Sequence, residues 1–279
     1  MNNLGKLYVV GTPIGNLDDL TFRSLATLKK VSLIAAEDTR HTGKLLQHFD
    51  ISTPQISYHE HNRLSRLDEL LNILSQGQDI ALVTDAGMPG ISDPGYELIK
   101  ACIEANIEVV PIPGVTAVIT ALAVSGLPTE RFCFEGFLPG KAKLRQERLE
   151  SLKTETRTMV FYEAPHKLIK TLEDLRETCG LTRKIVLGRE LTKLYEEIWR
   201  GTIDEAINLY RENKTPKGEF TLVVMGNDQA DNIQLSDEEL KQELKQIIER
   251  GVSRSQASRQ LAQVTNLSRS RLYKLALEI

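Results

Sequence analysis

The strongest constraint on the fold is a rhythm in the first half of the chain: short β-branched runs alternate with stretches of helical periodicity. The runs are LYVV (7–10), LIAA (33–36), DIALVT (79–84) and IEVVPI (107–112), and each stops at a loop of glycine, proline or polar residues. Between them, LSRLDELLNILSQG (64–77) places Leu67, Leu70, Leu71 and Leu74 on one helical face. Such alternation predicts an α/β fold with a mostly parallel sheet covered on both faces, and any ligand outside the carboxyl ends of the strands.

At 279 residues the chain exceeds a typical single domain, so two α/β lobes are expected. The second, read as beginning near Leu122 after an apolar helix over 115–125, offers RFCFEGF (131–137), RTMVFYE (157–163), RKIVLGRE (183–190) and EFTLVVMG (219–226) as strands, with helices over 165–179 and 202–212. The reading divides the chain into lobes at 1–121 and 122–226, a polar linker NDQADNIQ within 227–235, and a helical module at 236–279. Ser236 followed by Glu239 is a capping box that opens this module. The net charge of −3 gives no overall basic bias, so any nucleic-acid contact must come from local patches. Cys102, Cys133 and Cys179 lack metal-site or disulfide spacing and read as small hydrophobes, and no metal is expected. No apolar run suits a leader or a membrane span, so a cytoplasmic protein is expected.

The most informative loop is TDAGMPGISDPG (84–95), whose three glycines and two prolines impose an unusual backbone path. Asp93 reads as the N-cap of the following helix with Pro94 in its first turn, whereas Asp85, at a strand end, suits a ligand hydroxyl or amine. GTPIGNLDDLT (11–21) follows a strand but matches neither the dinucleotide fingerprint nor the P-loop. In EDTRHT (37–42), Asp38 reads as a helix cap and Arg40 suits a bidentate phosphate contact. PIPGVTA (111–117) repeats the strand–turn–helix form, with Gly114 permitting close approach and Thr116 offering a hydroxyl. YEAPH (162–166) and GRELTK (188–193) put Glu163, Arg189, Glu190 and Lys193 at strand ends, where ion pairing is the plainer explanation, and KGEF (217–220) opens the last strand, as a segment closing over a ligand or as a hairpin turn. Two basic stretches suit a polyanion: Lys141, Lys143, Arg145, Arg148 and Lys153 in the first, and Arg250, Arg254, Arg259, Arg269, Arg271 and Lys274 in the second, where a TNLS break resembles a helix-turn-helix pair.

Taken in order, LYVVGTPIGNLDDLTFRSL, IAAEDTRHTGKLLQHF, ALVTDAGMPGISDPGYEL, PIPGVTAVITALAVSGLP, RFCFEGFLP, FYEAPHKL, GRELTKLYEE and KGEF closely resemble the bacterial small-subunit ribosomal RNA methyltransferase I family. The wider family has the tetrapyrrole methylase (class III methyltransferase) fold. The resemblance implies two α/β lobes with S-adenosylmethionine (S-adenosyl-L-methionine) in the cleft between them, a homodimer, and 2'-O-methylation of a cytidine ribose in the decoding region of 16S ribosomal RNA in the small ribosomal subunit. It places the cofactor against Thr12, Pro13, Asp85, Gly87, Met88, Pro89, Gly114, Thr116 and Ala117, and against second-lobe backbone near Tyr162, Arg189 and Phe220. Met88 departs from the family's usual threonine, which removes a hydrogen bond worth on the order of 1 kcal/mol if the hydroxyl makes the contact.

Sulfonium methyl transfer to oxygen is an in-line displacement, so alignment carries most of the rate and a base taking the hydroxyl proton adds about 10²–10⁴-fold. The expected catalytic residues are Asp38, with Arg40 holding phosphate, then Glu190 or Lys193. Expected RNA contacts are Lys141, Lys143, Arg145, Arg254, Arg259, Arg269, Arg271 and Lys274. A corrin C-methyltransferase of the same fold and a non-catalytic RNA-binding ribosome-assembly protein are the alternatives.

Overall fold

A computed structural model describes residues 4–227, 236–265 and 267–279. Its first sheet contains β1 (Leu7–Val10), β2 (Leu33–Ala36), β3 (Gln55–Ser57), β4 (Ile80–Val83) and β5 (Val109–Ile112). Their order is β3-β2-β4-β1-β5, and all neighbours run parallel. The period of two along each strand explains why both faces are covered. Leu7, Val9, Ile80 and Leu82 pack under α3 (Arg63–Ser75) and α4 (Tyr96–Glu104), while Val10, Ala81 and Val83 pack under α1 (Phe22–Lys30) and α2 (Thr39–His48). The four strands expected from the sequence form here. β3 was not anticipated, because three half-buried residues are too few to display a period.

The second sheet contains β6 (Phe132–Gly136), β7 (Thr158–Glu163), β8 (Lys184–Arg189), β9 (Glu197–Thr202) and β10 (Phe220–Val224), in the order β6-β7-β10-β8-β9. Only β6 and β7 are parallel, and β10 enters between β7 and β8, antiparallel to both. One face packs Met159, Phe161, Leu187 and Leu222 against α7 (Leu168–Cys179) and α8 (Ile203–Asn208). The other packs Val160, Val186 and Val223 against Val118, Ala121 and Leu122 of α5 (Ala117–Ser125). The boundary read at 121/122 therefore falls inside a helix that serves the second sheet. β9, an edge strand with polar residues on a half-buried ribbon, is the other strand the sequence left unread.

The chain divides into two compact units, the first holding both sheets and the second the C-terminal helices. These are α9 (Asp237–Glu249), α10 (Arg254–Thr265) and α11 (Arg269–Leu277), which share a core of Leu240, Leu244, Ala257, Leu261, Leu272, Leu275 and Ala276. Both halves of the Ser236–Glu239 capping box form. Apart from Asn227, the linker read at 227–235 lies outside the described residues. Among those residues no helix is long and apolar enough to cross a membrane.

Candidate active site

Loops leaving the carboxyl ends of β1, β4 and β5 are tied into one surface. Thr12 and Gly87 exchange backbone hydrogen bonds of 2.9 and 3.1 Å, and the Thr12 hydroxyl donates to the Thr84 carbonyl at 3.0 Å. Gly11 and Gly114 touch backbone to backbone: a Cβ on Gly114 would lie 2.7 Å from the Gly11 Cα, so neither position accommodates a side chain without moving a loop. Thr116 caps α5 by accepting the Ile119 N–H at 3.3 Å. Asp38 caps α2, as its sequence position suggested, by accepting the Arg40 N–H at 2.8 Å. The Asp85 carboxylate accepts the Asp38 N–H at 3.2 Å, and the Asp85 N–H donates to Glu37 Oε2 at the same distance.

These loops bound one side of a cavity of about 390 Å³, within the range of small-molecule sites. Ile14, Ala86, Gly87, Met88, Ile91, Ser92, Asp93, Thr116 and Ala117 come from the first-sheet side; Phe137, Tyr162, Glu163, Ala164, Pro165, Gly188, Leu191, Lys193, Glu219, Phe220 and Thr221 come from the second. Of the positions expected near a cofactor, Gly87, Met88, Thr116, Ala117, Tyr162 and Phe220 line it. Thr12, Pro13, Asp85, Pro89, Gly114 and Arg189 do not; the first five shape the loops beneath or beside it. Arg189 instead ties loops together, donating from Nε to the Lys217 carbonyl at 2.7 Å and pairing with Glu197 at 3.4 Å.

Asp93 requires a correction. The N-cap of α4 is Gly95, with φ of 151° and no side-chain cap; a Cβ there would meet the Gly90 nitrogen at 2.9 Å. Pro94 consequently precedes the cap, and Asp93 lines the cavity. Burial, then the charges of Glu37, Asp85 and Glu219, push its carboxyl up to about 7. Burial also raises Glu37, with Asp85 and Asp38 adding to the effect.

The expected proton acceptors are differently placed. Arg40 grips the Asp38 carboxylate through Nε at 3.0 Å and Nη2 at 2.6 Å, which holds Asp38 well below the usual carboxylate range. Lys193 reaches the cavity, but its ammonium binds Glu190 and Glu219, each at 2.9 Å. Burial opposes these charges, yet the Glu219 N–H and the ammonium keep Glu190 below its ordinary value, and the two carboxylates keep Lys193 above its own. Asp38 and Glu190 are therefore weak bases in this arrangement, and Lys193 is held protonated, with no lone pair to accept a proton. Glu163, a strand-end candidate in the sequence, lines the cavity, whereas sequence reading missed Asp93, Glu219 and Phe137 as lining residues. The signal for Phe137 was an aromatic side chain at a strand end, and it is 56% exposed against Tyr162 at a 5.6 Å ring separation.

The first basic stretch is less basic in space than on paper. Arg145 is 7% exposed, donating to Asp174 at 2.6 Å and to Thr171 at 2.8 Å, so it belongs to the interior and not to a polyanion surface. Arg148 pairs with Glu135 at 2.6 Å and Lys153 with Glu150 at 2.6 Å, while Lys141 and Lys143 are exposed. In the C-terminal unit Arg254, Arg259, Arg269, Arg271 and Lys274 are all exposed, and Arg271 pairs with Asp237 at 2.8 Å. Among the described residues no group of His, Cys, Asp and Glu is arranged to hold a metal ion.

Residues 6–207 match the family of tetrapyrrole (corrin/porphyrin) methylases. A protein of Synechocystis sp. named ribosomal RNA small subunit methyltransferase I is 59% identical over 99% of both chains. One of the same name from Escherichia coli O157:H7 is 45% identical over 99% of this chain and 96% of its own. Among solved structures, the methyltransferase CobJ superposes with a TM-score of 0.61 at 22% identity, covering 80% of this chain and 95% of that one. Uroporphyrin-III C-methyl transferase from Thermus thermophilus, complexed with S-adenyl homocysteine, superposes at 0.56 and 15% identity, covering 78% and 97%. The structures support the two-sheet fold, and identity sustained along nearly the whole sequence narrows the assignment: the chain belongs to the tetrapyrrole methylases and, within them, to the ribosomal RNA small subunit methyltransferase I family.

Proposed function

We propose that the protein transfers the methyl group of S-adenosylmethionine to the ribose 2'-oxygen of a cytidine in the decoding region of 16S ribosomal RNA. The observation that carries this reading is 59% identity over 99% of both chains with a relative named for methylating small-subunit ribosomal RNA. The corrin alternative rests on structures at 22% identity or less, which speak to fold alone. The family resemblance supplies the ribose and cytidine detail and the homodimer.

The cavity fits the methyl donor chemically. Ile14, Met88, Leu191, Tyr162 and Phe220 offer apolar surface to an adenine, and the Glu219 carboxylate suits an amine or a sulfonium cation. When bound, the sulfonium supplies a methyl group that is already activated. What the chain contributes is alignment and exclusion of water: the Gly11–Gly114 contact and the Thr12–Gly87 bridge hold the lining loops rigidly. Arg40, whose side chain is 89% exposed while anchored on Asp38, is the proposed phosphate contact. Asp85, next to the lining residue Ala86, is the proposed polar contact for the donor's hydroxyl or amine. Exposed Lys141 and Lys143, with Arg254, Arg259, Arg269, Arg271 and Lys274, are the proposed RNA-backbone contacts.

Incubation of the purified protein with small ribosomal subunits and methyl-labelled donor, followed by nucleoside mapping, tests the reading. One labelled cytidine ribose in the decoding region is the expected outcome. Label on a base carbon or on a corrinoid, or no transfer from donor that binds, overturns it.

A further inference from the structure

The chemistry of the proposed reaction requires an acceptor for the hydroxyl proton, and the carboxylates first expected to provide one are held in ion pairs. Asp38 is gripped by Arg40, and Glu190 by Lys193 and the Glu219 N–H. Asp93 is different. It lines the cavity and does not cap α4, a role that falls to Gly95. Among the described residues nothing donates a hydrogen bond to its carboxylate. Ser92 before it adopts φ of 63°, a turn uncommon for a residue with a side chain, and shares the cavity lining. The residue has no structural hydrogen bond to lose and lines the cavity proposed for the donor.

Resting on the functional reading above, we propose that Asp93 is the catalytic base that takes the proton of the ribose hydroxyl while its oxygen accepts the methyl group. The O–H bond breaks toward the Asp93 carboxylate and the oxygen forms the new O–CH₃ bond. The S–CH₃ bond breaks with its electron pair left on sulfur. The products are a methyl ether, a neutral thioether and the carboxylic acid of Asp93, which releases its proton to solvent. The charged groups acting on Asp93 are Glu37 and Asp85 from the first-sheet loops and Glu219 from the second, with Lys193, Glu163 and Tyr162 sharing the cavity wall. Burial and the three carboxylates place its ionisation near 7, where a base combines availability with proton affinity.

The test uses the full-length protein, small subunits as acceptor and S-adenosylhomocysteine as binding probe. Asp93→Asn is expected to slow single-turnover transfer by about 10²–10⁴-fold while leaving probe affinity unchanged, and Asp93→Glu to recover part of the rate. The wild-type rate is expected to rise with pH through an ionisation near 7 that Asp93→Asn lacks. Carbon NMR of aspartate-labelled protein should show one carboxyl titrating near 7 that disappears in Asp93→Asn, a readout independent of activity. Transfer by Asp93→Asn at the wild-type rate, or an Asp93 carboxyl titrating in the ordinary aspartate range, overturns the assignment. If Asp93→Asn loses probe binding, the wild-type titration and the Asp93→Glu rate decide. If the wild type methylates no RNA, the functional reading falls and the role of Asp93 with it; if it does and Asp93→Asn does so equally, only the role of Asp93 falls.

Discussion

Asp93 ties the stability of the molecule to pH. Its folded ionisation is near 7 against an ordinary 3.8, so the folded chain keeps a proton that the unfolded chain releases between those values. The resulting stabilisation is complete below about pH 4 and declines as pH rises toward 7. Asp93→Asn cannot ionise, and its stability relative to wild type should therefore increase across that window when urea unfolding is followed at several pH values; a constant difference would contradict the shift. Gly114 makes a second residue-scale case. Gly114→Ala drives a Cβ to 2.7 Å from the Gly11 Cα, and because backbone lies on both sides we expect a loss of about 1–3 kcal/mol together with weaker donor binding. Thermal melts and calorimetry of S-adenosylhomocysteine binding check both effects. The two residues differ in legibility. A glycine beside a proline at a strand end already suggested close approach, whereas the surroundings of Asp93 come from three separate loops and leave no local trace in the sequence.

Among the elements, α6 (Ala142–Leu152) departs most from its sequence reading. Its basic residues suggested a polyanion surface, but the helix turns Arg145 inward, where Thr171 and Asp174 of α7 receive it. Thr171 in turn donates to the buried Glu163 carboxylate, which also accepts the Ala164 N–H, so this polar chain joins α6 and α7 to the end of β7. Arg145→Met should destabilise the protein by on the order of 3 kcal/mol, because the charge of Asp174 loses its partner in a poorly solvated place. RNA affinity of the folded variant should match wild type in a filter-binding assay; a loss would return Arg145 to the interface. The long strands were legible because their apolar runs are bounded by turn residues. β3 and β9 were not, since one is too short and the other lies at a sheet edge with half-buried, partly polar residues.

At the scale of the whole molecule, the C-terminal helices have a core of their own, separate from that of the two sheets. A chain ending at Asn227 is therefore expected to retain donor binding while its affinity for ribosomal RNA and the salt dependence of that affinity both fall, as fewer phosphates are neutralised. Salt titrations of RNA binding by the two forms check this; identical slopes would remove the helices from the proposed interface. The sequence by itself determined the alternating strands and helices, the loops at the carboxyl ends of the first sheet, the Asp38 and Ser236 caps and the family. Those properties depend on neighbours within a few residues or on patterns that repeat along the chain. Only the tertiary structure decided which carboxylates stand unpaired in the cavity, that Asp93 lines the site while Gly95 caps its helix, and that Arg145 is interior. Ionisation and burial depend on distance through space, and the groups that set them here lie on strands and loops far apart in the chain.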